Sequence, residues 1–235
     1  MKKTLLLSFA FGFALLGTAA LFAADAEEGF VSLFNGKDLT GWSGDARLWS
    51  VADGSIVGET NDTDKKITYN NFLVYEKEEF GDFILRFDYR ITKAGNSGMQ
   101  YRAWLNEGKS YSMGGYQGDF DGGATYSGIV YGEGFRGILA ERGTASKIGD
   151  DHKPTLVERF AENEALKKEV KIEDWNSYEI TAQGFSFEHK INGVTMSRLS
   201  DEDTQTRRAS GWLGIQTHVG PPMKVEVKNI RIKKL

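Results

Sequence analysis

Gln117 and Asp119 stand two residues apart in Gly114-Gly115-Tyr116-Gln117-Gly118-Asp119-Phe120, with only a glycine between them. In an extended strand alternate side chains share a face. The amide and the carboxylate therefore project together, while Tyr116 and Phe120 turn the other way. Two further stretches repeat the pattern. Met99 and Tyr101 alternate with Gln100, Arg102 and Trp104, and Leu213 and Ile215 alternate with Gln216 and His218. Amides, a guanidinium, a carboxylate, an imidazole and an indole on one surface suit a polyhydroxylated ligand, which needs directional hydrogen bonds and a flat apolar contact. If the three strands are neighbours, their polar faces merge into one site. If they are not, each is an ordinary solvated strand face.

Three histidines offer acid–base chemistry. His218 sits at a strand end just before Gly220-Pro221-Pro222, where sites collect, and is the best general-base candidate. His152 lies in a charged turn and reads as solvated. His189 shares a strand face with Phe185, Phe187 and Ile191 and reads as a hydrogen-bonded packing residue. Asp119 and Asp121 are the pair a two-carboxylate glycosidase would need. Asp119, Glu141 and His218 would hold a divalent metal if they converged, although no spacing enforces it. The chain contains no His-x-x-x-His, phosphate loop, dinucleotide fingerprint or Gly-x-Ser-x-Gly.

Strands must carry these residues. Phe83, Leu85, Phe87, Tyr89 and Ile91 alternate with Arg86, Asp88 and Arg90. Asn192-Gly193 between two alternating runs predicts a type I′ hairpin. About a dozen strands at spacings of roughly 8–12 residues predict an all-β fold of two packed antiparallel sheets. The 28 glycines and three prolines fit many tight turns. Glycines at 128, 132, 134 and 137 suggest backbone bent around something or approached closely. Residues 144–174 are the least strand-like; they predict a short helical insertion near 158–171, outside the sheets. Residues 29–235 read as one domain without internal repeats.

Residues 1–24 read as a signal peptide. Lys2 and Lys3 precede a short apolar run, small residues follow, and cleavage is expected between Ala23 and Ala26. The mature protein is then periplasmic or secreted, and with no cysteine it carries neither a lipid-bearing thiol nor a disulfide. Removing the two leader lysines leaves 27 basic against 33 acidic residues, a formal charge of −6. That balance argues against nucleic acid or an anionic membrane as partner and leaves a small oligosaccharide or glycoside.

Seven blocks in order resemble the 3-keto-disaccharide hydrolase family. They are Leu33-Phe34-Asn35-Gly36-Lys37-Asp38-Leu39-Thr40-Gly41-Trp42; Gly95-Asn96-Ser97-Gly98 with Arg102; Gly115-Tyr116-Gln117 with Asp119; Asp174-Trp175-Asn176 with Tyr178; Ile191-Asn192-Gly193-Val194; Gly214-Ile215-Gln216 with His218; and Asn229-Ile230-Arg231. The chain departs from the family pattern at Gly128–Glu133 and over 144–170. The resemblance implies a concanavalin A-like jelly-roll sandwich with a concave sugar-binding sheet, acting on sugars oxidised at C3. A C3 ketone acidifies the C2–H. A base removes that proton, and the enolate expels the C1 substituent; water adds afterwards in a net hydrolysis. The roles that follow are His218 as base, Arg102 with Gln117 as oxyanion donors, and Asp119 or Glu141 as acid or metal ligand. Gln100, Gln216, Asn96, Trp104, Tyr131 and Trp212 are the expected sugar contacts. Two other readings use the same face: a lectin-like module that binds sugar without cleaving it, and a paired-carboxylate glucanase acting on unoxidised glycan.

Overall fold

The structure, a computed structural model, describes residues 27–235. The expected leader lies outside them. Among the described residues no helix is long and apolar enough to cross a membrane. The chain forms β1 (Val31–Ser32), β2 (Trp42–Ser43), β3 (Trp49–Ala52), β4 (Ser55–Thr60), β5 (Asn71–Phe80), β6 (Phe83–Ile91), β7 (Asn96–Leu105) and β8 (Met113–Asp121). It continues through β9 (Val130–Glu133), β10 (Gly137–Ala140), β11 (Thr144–Ile148), β12 (Pro154–Arg159), α1 (Asn163–Lys167), β13 (Asn176–Gln183), β14 (Ser186–Ile191), β15 (Val194–Asp201), β16 (Gly211–Thr217) and β17 (Met223–Lys234).

The strands make two sheets packed as a sandwich. One runs β12-β11-β15-β14-β13-β6-β17-β4-β3, with β1 also on β17; the other runs β10-β9-β8-β7-β16-β5-β2. The inner faces follow the alternation of the sequence. Phe83, Leu85, Phe87, Tyr89 and Ile91 of β6 are buried, and the intervening side chains are half-exposed. Aromatic rings join the layers: Tyr89 stacks on Phe120 at 4.3 Å between ring centroids, and Tyr116 packs on Phe187 at 4.6 Å. Asn192 and Gly193 have φ values of 52° and 80°, the two positive angles a type I′ turn requires.

Two expectations are corrected. Residues 144–174 do not lie outside the sheets: β11 runs parallel to β15, so the larger sheet is mixed, and β12 closes its edge. Every residue of β12 is exposed, so no buried face imposed an apolar period on its sequence. The helix is confined to Asn163–Lys167, within the expected 158–171.

His189 is a core residue, as its apolar neighbours predict. Its Nδ1 lies 3.1 Å from the Ile129 carbonyl, and its Nε2 lies 3.1 Å from the Tyr101 hydroxyl. Burial is the main cause that lowers its pKa from 6.5 to about 4. The unfolded ring takes up a proton below pH 6.5 while the native ring does not. Stability is therefore fully present above pH 6.5 and falls as pH drops towards about 4, by about 3 kcal/mol in total. Urea denaturation of wild type and His189→Gln at intervals from pH 7.5 to 4 checks this: the stability difference between them should shrink by this amount as pH falls, whatever groups of opposite sign titrate in both proteins. An equal slope in the variant would assign the loss to other groups.

Candidate functional site

The outer face of the seven-stranded sheet carries the polar residues. On β8, Tyr116 and Phe120 enter the core while Gln117 and Asp119 face outward. β7 and β16 are neighbours of one another, and Gln100 is paired across the sheet with both Gln117 and Gly214. The three polar faces therefore merge. Gln100 Nε2 donates to Gln117 Oε1 at 2.9 Å, and Gln117 Nε2 donates to Asp119 Oδ1 at 2.7 Å. Gly98 makes room for this relay, since a Cβ there would sit 2.5 Å from the Gln117 side chain.

Glu133, on β9, reaches across the concave face. Its Oε2 accepts from Gln216 Nε2 at 3.2 Å, and its Oε1 accepts from Asn70 Nδ2 at 3.0 Å. The Asn70 side-chain oxygen Oδ1 in turn accepts from the Val219 N–H at 2.9 Å. The β9–β10 turn is pinned from behind by Arg136, whose guanidinium pairs with the fully buried Asp201 and Asp203.

These residues enclose a cavity of about 410 Å³, which Asp119, Glu133 and His218 all line. Asn96, Gln117, Tyr131 and Gln216 complete its polar wall. Burial pushes the Asp119 carboxyl well above the usual carboxylate range. The Gln117 hydrogen bond opposes the shift, and the charges of Glu133 and Asp121 add to it. Because Oδ1 accepts from Gln117, the proton of the neutral acid belongs on Oδ2. The Tyr131 phenol is also raised, by burial and then by Glu133 and Asp119. His218 Nδ1 lies 2.5 Å from the Val219 carbonyl, to which it donates. In the neutral ring this leaves the lone pair on Nε2. Gln100 Oε1 and Gln216 Oε1 are buried acceptors with no hydrogen-bond partner in the protein.

Arg102 is not in this cavity. At a β-bulge, Arg102 and Ala103 of β7 stand against Gly115 alone between the pairs Tyr101↔Tyr116 and Trp104↔Gly114. Arg102 takes φ +46°, and its fully buried guanidinium bonds the carbonyls of Gly81, Gly184 and Arg208 and the Asp82 carboxylate. The extra residue resets the alternation, so Ala103 takes the outward position. Trp104 donates to Asn106 Oδ1 and packs edge-on against Phe135, away from the cavity. Trp212 does face outward, but over the apolar end of the sheet, against Phe72, Val74, Ala103 and Met113. Glu141 is exposed on the turn after β10, so the set Asp119, Glu141 and His218 is not assembled. Among the described residues no three His, Asp or Glu side chains gather closely enough to hold a metal ion. Asp121 is occupied in its own loop, accepting from the backbone N–H groups of Thr125, Tyr126 and Ser127. The acid that shares the cavity with Asp119 is Glu133.

Sequence reasoning missed Glu133 and Asn70. Glu133 had a usable signal, because it stands two residues after Tyr131 and so shares its face. Asn70 ends a polar loop, and nothing local distinguishes it from its neighbours.

Residues 29–233 match the 3-keto-alpha-glucoside-1,2-lyase-like domain. Among curated proteins none matches the chain. Two solved structures of proteins named as glycosyl hydrolases from Parabacteroides distasonis ATCC 8503 share the fold. One, at 22% identity and TM-score 0.56, covers 88% of this chain and 94% of its own. The other, at 15% identity and TM-score 0.59, covers 88% and 99%. The carbohydrate-binding module CBM66 from Bacillus subtilis also shares it, at 12% identity and TM-score 0.53, over 84% of this chain and 98% of its own.

Proposed function

The chain belongs to the 3-keto-alpha-glucoside-1,2-lyase-like family, and from that premise we propose that it cleaves the glycosidic bond of 3-keto-glycosides by elimination. One observation carries the reading: Asp119, a carboxyl that burial biases towards its neutral form, lines the same cavity as an imidazole, His218, and a second carboxyl, Glu133. His218 Nε2 takes the C2 proton. The C2–H electrons become the C1=C2 bond, and the C1–O bond breaks with its electron pair on the departing oxygen. Asp119 Oδ2 gives its proton to that oxygen. The Asn96 amide and the Tyr131 hydroxyl, both lining the cavity, supply the donors that the displaced Arg102 does not. Water adding to C1 turns the elimination into net hydrolysis. The leader-like residues 1–24 support export to the periplasm or medium as part of the same reading.

The pairing of Asp119 with Glu133 also favours a second reading, two-carboxylate hydrolysis of an unoxidised glycoside. One assay separates them. The protein is incubated with 3-keto-trehalose and 3-keto-glucosides beside the unoxidised sugars, with wild type and His218→Ala. Turnover confined to the keto sugars, and lowered at least about 100-fold in the variant, is expected. Equal turnover of unoxidised sugar, or full activity without the imidazole, overturns the elimination.

A further inference from the structure

The concave face is closed at one end. Phe72, Val74, Ala103 and Met113 point away from the sandwich core yet are buried. Residues 106–112 fold back over them. The Phe72 N–H donates to the Tyr111 carbonyl at 2.8 Å, the Tyr69 hydroxyl donates to the Ser110 carbonyl at 3.3 Å, and Val74 lines a separate cleft with Lys109 and Tyr111. Trp212 packs on the same cluster. Glu133 bonded to Gln216 and Asn70 bars the way between this end and the cavity. These hydrogen-bonded residues stand between a sugar ring in the cavity and that end of the sheet.

The other side of the cavity has a different chemistry. Tyr126 and Ile138 line it and are 44% and 43% exposed, although both are large and apolar. Ile129 lies behind them in the same wall. The polar groups that recognise hydroxyls sit on the floor, at Gln117, Asp119, Gln216 and Glu133. The rim offers apolar surface to whatever projects from the bound sugar.

We propose that the cavity holds a single sugar ring on its polar floor and that Tyr126 and Ile138 bind an apolar, planar aglycone. The preferred substrate is then an aryl-type monoglycoside and not a sugar chain. This rests on the glycosidic reading above, and it adds the class of leaving group. The chemistry of cleavage is unchanged: the aglycone oxygen takes the proton from Asp119 and leaves as a neutral alcohol or phenol.

The test uses phenyl and methyl 3-keto-glucosides of both anomers, together with a 3-keto-trisaccharide. Affinities are measured calorimetrically on His218→Ala combined with Asp119→Asn, which lacks both the base and the acid of the cleavage, and turnover is measured on wild type. The phenyl glycoside should bind about tenfold more tightly than the methyl glycoside, the gain expected from burying one face of an aromatic ring. Adding Tyr126→Ser and Ile138→Ser to the same protein should bring the ratio below about threefold. Because the ratio compares two ligands on one protein, a general loss of folded material cancels. A ratio near one in the parent, an unchanged ratio with the two serines, or tighter binding of the trisaccharide overturns the proposal. Turnover without the phenyl preference removes the aglycone site alone. The preference without turnover removes the cleavage reading alone.

Discussion

Asp119→Asn is expected to lower kcat on a 3-keto-glycoside by about 10²- to 10⁴-fold, the range general acid catalysis supplies, with little change in ligand affinity. Asparagine keeps the shape and the hydrogen bonds. Its Oδ1 still accepts from Gln117 Nε2, which lies at 2.7 Å from the carboxyl oxygen, and its Nδ2 still donates into the cavity. Only the transferable proton is lost. The pH dependence follows from the raised pKa. Activity that needs the neutral acid is present below the native pKa of Asp119 and lost as pH rises through it, so this group sets the alkaline limb of kcat. The same shift acts on stability with a definite sign. The unfolded carboxyl ionises above 3.8 while the native one keeps its proton. Stability therefore falls as pH rises from 3.8 towards the native value. Asparagine removes that cost, so the variant should melt higher than wild type at neutral pH while turning over far more slowly. A variant with near-normal kcat, or one that loses activity only through unfolding, removes Asp119 from the proton-transfer step.

The residues of the cavity differ in how plainly the sequence exposes them. Gln117 and Asp119 are legible because nothing interrupts the period of β8, and the same holds for Gln216 on β16; Gln100 of β7 bonds Gln117 but is fully buried and does not line the cavity, so it is not the sugar contact expected of it. The sandwich was legible for the same reason: β6 and the β14–β15 hairpin write their burial into alternate residues. Where a backbone irregularity intervenes, alternation misleads. One extra residue at the Arg102 bulge sent Arg102 and Trp104 away from the cavity. No local pattern announces a bulge, because the cause is the register with β8 and the close approach of Gly115 to Ala103, both tertiary. The parallel placement of β11 beside β15 is equally non-local. Glu133 shows a third limit. Its face was readable, but the curvature that carries a β9 side chain to Gln216 on β16 belongs to the folded sheet.

Arg102 supplies the sharpest contrast between what a motif implies and what a fold does with it. Its guanidinium is fully buried and holds three backbone carbonyls, at 2.9 Å (Gly81), 2.6 Å (Gly184) and 3.1 Å (Arg208), besides Asp82 at 2.8 Å. It also lies over the Phe187 ring at 5.2 Å. Each carbonyl sits in a connection between strands, so one side chain ties three turns to the bulged strand. Arg102→Ala empties a fully buried side-chain site and strips three partly exposed carbonyls and the 40%-exposed Asp82 carboxylate of their donor, which should cost about 2–4 kcal/mol. For a domain of this size that lowers Tm by roughly 10 °C. Lysine should recover little, since one ammonium does not reproduce a planar fork of five donors. Per folded molecule, kcat should stay within about threefold of wild type, because the guanidinium contacts nothing that lines the cavity of Asp119 and His218. Thermal melts and active-site titration below the melting range check both halves. A stable Arg102→Ala protein with kcat reduced 100-fold would return the guanidinium to the chemistry and would require the bulge to reorganise when substrate binds. An unstable protein with normal turnover means that the motif arginine preserves the floor on which the catalytic groups stand.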